Sequence, residues 1–269
     1  MSFAFTMPSC FFSFILSRAV FYIGIVLLGL ALASCTGTGT DTYVERPVED
    51  LYAEAQAALD SGDHQASALA FDEVERQHPY SMLATRAQLM SAYAYYEGAK
   101  YNQAVLALER FIQLHPGHSD APYAYYLKAL CYYEQISDVG RDQKMTELAR
   151  QSLEGLIRRF PDTSYARDAR LKLDLTLDHL AGKEMDVGRW YLNKQKYAAA
   201  LRRFQNVIRS FDGTTHIPEA LYRLTETYTL MGLRQEAKKA AAVLGHNYPG
   251  NEWYSDAYNL VEQKASDSQ

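Results

Sequence analysis

The chain has 269 residues, a formal net charge of −5 and 13 % aromatic residues, among them 21 tyrosines. An acidic chain without a basic stripe does not have the charge pattern of a nucleic-acid-binding protein. The 235 residues from Cys35 to Gln269 are enough for one elongated domain with a real core.

The first 34 residues have the pattern of a secretory signal. Arg18 is the single charge before residue 34, and the apolar run Ala19–Leu32 follows it. The run ends in Leu32-Ala33-Ser34-Cys35, which resembles the bacterial lipobox, where the cysteine is diacylated and becomes the new N-terminus. The stretch before Arg18 is long for a signal, and Met7 is an alternative start.

We therefore predict a lipid anchor on Cys35. The alternative is a transmembrane helix, which needs about 20 apolar residues. Ala19–Ala33 is shorter than that unless the preceding Phe-rich stretch joins it. Thr36 rather than Asp follows the cysteine, which resembles cargo sent to the outer membrane.

Removal of residues 1–34 changes the charge and the cysteine content. Loss of Arg18 leaves 26 basic residues against 32 acidic ones, a net charge of −6. Cys10 leaves with the signal and Cys35 is acylated, so Cys131 has no internal disulfide partner. We interpret Cys131 as a small core residue rather than a reactive thiol.

A bulky ring followed by proline recurs along the mature chain, and Phe211-Asp212 fills the same slot without a proline. The pairs are His78-Pro79, His115-Pro116, Phe160-Pro161, Phe211-Asp212 and Tyr248-Pro249. The second members are 37, 45, 51 and 37 residues apart. Proline forbids continuation of a helix, so each pair predicts a helix end.

In each unit, three positions ahead of the predicted helix end lie on one stripe of the helix. Their offsets of 0, 4 and 7 residues place them on one helix face. Small residues come first, at Ser67, Ala104, Ala149, Ala200 and Ala237. The later positions are Phe71, Leu108, Leu153, Phe204 and Ala241, then Val74, Phe111, Leu156, Val207 and Leu244.

These units resemble tetratricopeptide repeats, whose usual length is about 34 residues. They predict an all-α fold of five tetratricopeptide-like hairpins forming an α-solenoid, with a C-terminal capping helix; an irregular helical bundle is the alternative. The two long intervals predict a loop insertion near Ser137–Gln143 and a lengthened helix within Tyr165–Asn193.

The predicted organisation is a signal at 1–34, an acylated cysteine with a flexible tether at 35–47, a repeat domain at 48–264 and a polar tail at 265–269. The predicted hairpins are Val48–Leu59 with Gln65–Gln77, Ser81–Glu97 with Tyr101–Leu114, Pro122–Gln135 with Gln143–Phe160, Tyr165–Asn193 with Tyr197–Phe211, and Ile217–Met231 with Arg234–Asn247. Glu252–Gln263 is the predicted cap, since terminal repeats need one.

Several motifs resemble one family closely. They are HPYS at 78–81, AYAYY at 92–96, YNQAVLALERFIQLHPGH at 101–118, YAYYLKAL at 123–130, GRDQ at 140–143, FPDTSYARDAR at 160–170 and RRFQNVI at 202–208. They resemble the BamD family, the lipoprotein subunit of the outer-membrane β-barrel assembly machinery. The C-terminal repeat matches only in outline.

The resemblance implies a non-enzymatic scaffold that binds unfolded outer-membrane proteins, the barrel subunit and accessory lipoproteins. It places the chain on the periplasmic face of a Gram-negative outer membrane, with no cofactor and with membrane contact through the lipid anchor alone. Another periplasmic repeat lipoprotein, acting as a cell-envelope adaptor, is the alternative.

Repeat arrays bind ligands in the groove formed by the first helix of each hairpin. The register predicts groove positions at Tyr52 (or Leu51), Arg86, Tyr93, Tyr96, Tyr123, Tyr126 and Tyr133, whereas Tyr95 points to the core. Tyrosine suits a peptide groove because it is rigid, apolar in body and hydrogen-bonding at its tip. The alternative for each tyrosine is helix packing. The family resemblance implies the ligand, an aromatic-ended C-terminal segment of a barrel protein.

The fourth hairpin carries Arg202 and Arg203 next to the core position Phe204. The resemblance implies that they contact the periplasmic domains of the barrel subunit; the alternative is a solvated face. His78 and His115 precede prolines and predict helix ends rather than metal ligands. No residue pattern supports a catalytic site.

Overall fold

The computed structural model describes residues 45–266, and within that range the regular structure is helical, with no strand. The described helices are α1 (Val48–Asp60), α2 (His64–Gln77), α3 (Met82–Glu97), α4 (Tyr101–Leu114), α5 (Ala121–Tyr133), α6 (Lys144–Arg159), α7 (Ser164–Asn193), α8 (Tyr197–Ser210), α9 (Ile217–Leu230), α10 (Arg234–Asn247) and α11 (Glu252–Ser266). The predicted signal, Cys35 and most of the tether lie outside the described residues.

Successive helices pair into five hairpins, α1/α2 to α9/α10, and each hairpin packs on the next. The first helices α1, α3, α5 and α7 also contact one another in that order. The predicted all-α solenoid is confirmed.

The core runs through the middle of the array, and all fifteen stripe positions contribute to it. None of them is more than 8 % exposed. Small residues at the first stripe position allow neighbouring helices to approach closely. At one of these positions the Ser67 hydroxyl donates a hydrogen bond to the carbonyl of Ala55, 3.0 Å away. The spacing read from the sequence therefore corresponds to the buried face of each second helix.

Two hairpin turns contain a glycine in the left-handed region, Gly62 at φ 80° and Gly232 at φ 76°. The equivalent positions in the second and fourth hairpins are Ala99, at φ 54°, and Gln195, at φ 58°. Glycine adopts this conformation without a steric penalty, whereas other L-residues do so at a cost of roughly 1–2 kcal/mol.

The third hairpin has a long loop in place of a tight turn, and the fourth has a helix of 30 residues. Both predicted insertions are confirmed. The Gln143 side-chain amide donates to the carbonyls of Asp138, Val139 and Arg141 and folds the loop on itself. Lys183, in the middle of α7, donates to the carbonyl of Gly140 at 3.0 Å, so the loop lies against α7.

The last helix, α11, covers the open end of the array by packing on α9 and α10. Trp253 stacks on Tyr222 with ring centroids 5.1 Å apart, and Ala257 is fully buried. Tyr254 lies over Gly245, where a side chain would collide with the ring. The predicted cap is confirmed, and the helix continues to Ser266, beyond the predicted end at Gln263.

Gly188 on α7 allows the ring of Phe204 on α8 to lie directly against the helix backbone. A Cβ atom at this position would stand 2.4 Å from Cε1 of Phe204. We expect Gly188→Ala to lower the free energy of unfolding, because overpacking costs about 1–3 kcal/mol, which exceeds the helix-propensity gain of about 0.5–1 kcal/mol.

Gly155 on α6 is the matched control, because a Cβ atom there meets nothing within 4 Å. Gly155→Ala is expected to raise the stability by about 0.5–1 kcal/mol. Urea unfolding followed by circular dichroism measures both variants. A Gly188→Ala midpoint at or above that of the wild type would contradict the close packing of Phe204.

Candidate peptide-binding face and partner-docking site

The predicted groove residues lie on the first helices α1, α3 and α5, which are neighbours in the array. The six tyrosines among them are each partly buried, whereas Arg86 is exposed. We call this set, with Tyr165 of α7, the tyrosine face. It consists of Tyr52, Arg86, Tyr93, Tyr96, Tyr123, Tyr126, Tyr133 and Tyr165.

Tyr52 forms the N-terminal end of the tyrosine face. Its ring packs edge-on against Phe71 with centroids 5.3 Å apart, and the guanidinium carbon of Arg86 lies 5.9 Å from its centroid. Burial raises the pKa of the Tyr52 hydroxyl, against the opposing effect of Arg86. Its oxygen is buried without a hydrogen-bond partner among the described residues.

Tyr96 lies in the centre of the tyrosine face, with its ring 5.9 Å from that of Tyr101. Burial, followed by the negative charge of Glu134, raises the pKa of Tyr96 to about 12. Burial, followed by a hydrogen bond to Glu97, also raises the pKa of Tyr93. These phenols therefore stay protonated at neutral pH and can donate hydrogen bonds.

Tyr165 joins the third hairpin to the fourth. Its ring centroid lies 5.6 Å from that of Tyr123 and 5.4 Å from that of Tyr126. Sequence reasoning missed this residue because the groove register was applied only to the first three hairpins. The motif FPDTSYARDAR contains it, and extending the register across the long interval could have found it.

Tyr126 donates its hydroxyl proton to Oδ2 of Asp168 on α7 at 2.5 Å. Burial and then this hydrogen bond raise the pKa of Tyr126, and the same hydrogen bond lowers the pKa of Asp168. Lys172 lies 3.3 Å from Asp168 and places its ammonium 5.4 Å from the ring centroid of Tyr133. The face is thus a set of aromatic rings with one carboxylate and one ammonium group at its α7 side.

The tyrosines next in sequence point to the second helices instead. Tyr95 packs against the core and directs its hydroxyl to Asp72 on α2, 3.5 Å away. Tyr125 stacks on Phe160, with centroids 5.4 Å apart, and receives a hydrogen bond from Arg159. A step of one residue turns the helix by about 100°. This rotation separates a tyrosine on the face from the tyrosine directly before it in sequence, which lies off the face.

The two predicted partner-binding arginines lie on α8. Arg203 donates to both carboxylate oxygens of Glu184 on α7, at 3.0 and 3.2 Å, with side-chain exposures of 42 % and 18 % respectively. Arg202 is exposed. Between α7 and α8 is an open cavity of about 620 Å³. Its lining residues are Glu184, Tyr191, Ala198, Ala199, Arg202, Arg203, Asn206 and Arg209.

This cavity, which we call the arginine site, carries three arginines against one glutamate, so its net charge is positive. Sequence reasoning identified Arg202 and Arg203 but missed Arg209 and the pairing of Arg203 with Glu184. Arg209 is two helical turns beyond Arg202 and is recognisable from that spacing. Glu184 lies in the lengthened helix, whose register the repeat pattern leaves open.

Cys131 is fully buried, and burial raises its pKa to about 12, so its thiol remains protonated. Between residues 45 and 266, no three His, Cys, Asp or Glu side chains come together as ligands for a metal ion. In the same range, no helix combines the length and the apolarity needed to cross a bilayer.

Comparison with known proteins decides the family. The family model of YfiO, described as an outer membrane lipoprotein, matches residues 44–244. The outer membrane protein assembly factor BamD of Caulobacter vibrioides is 49 % identical over 247 residues, which cover 91 % of this chain and 81 % of that protein. This chain belongs to the BamD family.

Other BamD proteins give the same result over nearly the whole chain. BamD of Rickettsia prowazekii is 46 % identical, with 88 % of this chain and 95 % of the relative covered. Among solved structures, the tetratricopeptide domain of P58(IPK) aligns with a TM-score of 0.42 at 12 % identity, covering 82 % of this chain and 66 % of that one.

Proposed function

We propose that this member of the BamD family is a non-enzymatic scaffold of outer-membrane β-barrel protein assembly, attached to the periplasmic face of the outer membrane by a lipid on Cys35. The observation that carries the proposal is the tyrosine face, in a chain that belongs to a family of outer membrane assembly factors. Two separate surfaces serve two kinds of partner.

The tyrosine face binds an unfolded barrel protein through its aromatic-ended C-terminal segment. Partly buried rings offer apolar contact at little entropic cost, because a tyrosine has few rotatable bonds. Burial raises the pKa of Tyr96, so its hydroxyl stays protonated and can donate a hydrogen bond to a peptide carbonyl. Arg86, exposed beside Tyr52, supplies a positive charge for the terminal carboxylate.

The arginine site binds the barrel subunit of the assembly machinery. Arg202, Arg203 and Arg209 line one open cavity and form a positive surface for carboxylates on the partner. Arginine pairs with carboxylates in a bidentate geometry, which gives both strength and orientation. Accessory lipoproteins of the machinery join through surfaces that this proposal leaves unassigned.

Removing two rings from the tyrosine face tests the peptide proposal. Tyr96→Ala combined with Tyr126→Ala is expected to weaken binding of a barrel-derived C-terminal peptide at least about tenfold, or about 1.4 kcal/mol, since buried aromatic residues are frequent hot spots. Fluorescence anisotropy with a labelled peptide measures the affinity.

The matched control is Tyr95→Ala combined with Tyr125→Ala. It removes the same atoms from the same two helices, but about 100° around each helix, where the Tyr95 hydroxyl faces Asp72 and the Tyr125 ring stacks on Phe160. We expect it to lower the melting temperature to a similar extent while leaving peptide affinity unchanged. Equal losses of affinity in the two double variants would show that the tyrosines act only through packing.

A further inference from the structure

Two apolar side chains project fully into solvent at the turn between α2 and α3. Tyr80 has a relative exposure of 101 % and Met82 one of 91 %, the two highest among the large hydrophobic residues described. Single exposed apolar residues are common on protein surfaces. Two of them within three residues, extended away from the domain, form a small apolar projection.

The turn that carries them is rigidly built. The Ser81 amide donates to the carbonyl of His78 at 3.0 Å, and the Ser81 hydroxyl accepts from the amide of Leu83 at 3.2 Å to cap α3. The carbonyl of Ser81 accepts from the amide of Ala84 at 3.0 Å. Tyr80 and Met82 are therefore held outward by an ordered backbone.

The chain enters the repeat domain beside this same turn. The amide of Arg46 donates to Oε1 of Gln77 at 2.9 Å, and its carbonyl lies 2.6 Å from Nε2 of His78. The Arg46 side chain pairs with Glu54 on α1 at 2.7 Å. Arg46 is thus fixed on the edge of the domain that presents Tyr80.

Chain connectivity limits the distance from this point to the proposed anchor. Cys35 precedes Arg46 by eleven residues. A fully extended chain of that length spans at most about 40 Å, so the lipid proposed on Cys35 limits Arg46 to that distance from the bilayer. Tethering also makes further membrane contact an intramolecular event with a high effective concentration.

We propose that the turn formed by residues 78–82 rests on the phospholipid surface, with Tyr80 and Met82 inserted into the headgroup region. Tyrosine suits this region because its ring is apolar and its hydroxyl stays hydrated. Two of the basic residues near the turn are paired with carboxylates, Arg46 with Glu54 and Arg76 with Glu73. The contact orients the first hairpin relative to the membrane, which a lipid on a tether alone does not do. It rests on the proposed acylation of Cys35.

Depth-dependent fluorescence quenching tests this contact in the full, lipidated chain. Tyr80→Cys and Met82→Cys are each labelled with the dye NBD and reconstituted into phosphatidylethanolamine and phosphatidylglycerol vesicles carrying nitroxide lipids. The remaining Cys131 is fully buried and protonated, so it does not compete for the dye. Ser61→Cys is the matched control, because it lies at the other end of the same hairpin, about 20 Å away along α1.

We expect a blue-shifted emission at positions 80 and 82 and at least about twofold stronger quenching than at position 61. Equal quenching at all three positions, in protein that floats with the vesicles, would overturn the membrane contact while leaving the anchor intact. Failure of the wild-type chain to float would instead overturn both the anchor and this inference. Flotation and quenching therefore separate the two outcomes.

Discussion

Arg203→Glu is expected to abolish co-purification of the barrel subunit while peptide binding at the tyrosine face is retained. The substitution reverses a charge in the arginine site and places a second carboxylate against Glu184, which is only 18 % exposed. The substitution also leaves a partner carboxylate that pairs with Arg203 without its cation, and loss of one member of a buried interface pair costs about 2–5 kcal/mol of binding. Affinity purification from solubilised membranes, followed by quantification of the captured barrel protein, measures the effect.

The ion pair with Glu184 provides a control for the internal role of Arg203. Combining Arg203→Glu with Glu184→Arg restores an ion pair between α7 and α8 with the charges exchanged. We expect the exchange to recover thermal stability but not co-purification, because the positive charge has moved to α7. Recovery of co-purification would mean that Arg203 serves the helix–helix contact and that the partner docks elsewhere.

Cys35→Ser is expected to remove lipid attachment completely. The variant should accumulate as a full-length precursor or as a soluble periplasmic form, and metabolic labelling with palmitate should disappear. Several acyl chains hold a protein on a membrane because each buried methylene contributes about 0.8 kcal/mol. Without them, washed membranes should no longer retain the chain.

Cys10→Ser and Cys131→Ser are the matched controls for this experiment. Cys10 belongs to the predicted signal, and Cys131 is buried in the core. Both variants should keep the palmitate label and the membrane fraction of the wild type. Labelling that persists in Cys35→Ser, or membrane retention through residues 1–33, would refute the lipoprotein interpretation.

The helical array could be predicted from the sequence because burial follows a simple spacing. A residue at every stripe position had to face the neighbouring helices, and all fifteen do so. The two irregular intervals also had unambiguous physical causes, since extra residues in a repeat must form either a longer loop or a longer helix. That argument needed only helix geometry and the positions of the stops.

The turns and the long-range polar contacts could not be predicted in the same way. Ala99 and Gln195 adopt left-handed backbone conformations that neither residue favours, so their identity gives no signal. The pairs Tyr126–Asp168 and Arg203–Glu184 join different helices, 42 and 19 residues apart in sequence. A repeat register places residues on helix faces but does not state which polar side chains of different helices meet.

The length of α7 sets the distance along the helix axis and the angle around it between the two proposed surfaces. Asp168, at the tyrosine face, and Glu184, at the arginine site, lie on one unbroken helix, sixteen residues apart. A straight helix places them about 24 Å apart along its axis and about 160° apart around it. A ligand at one surface therefore stands on nearly the opposite side of this rod from a ligand at the other, and both can be bound without colliding.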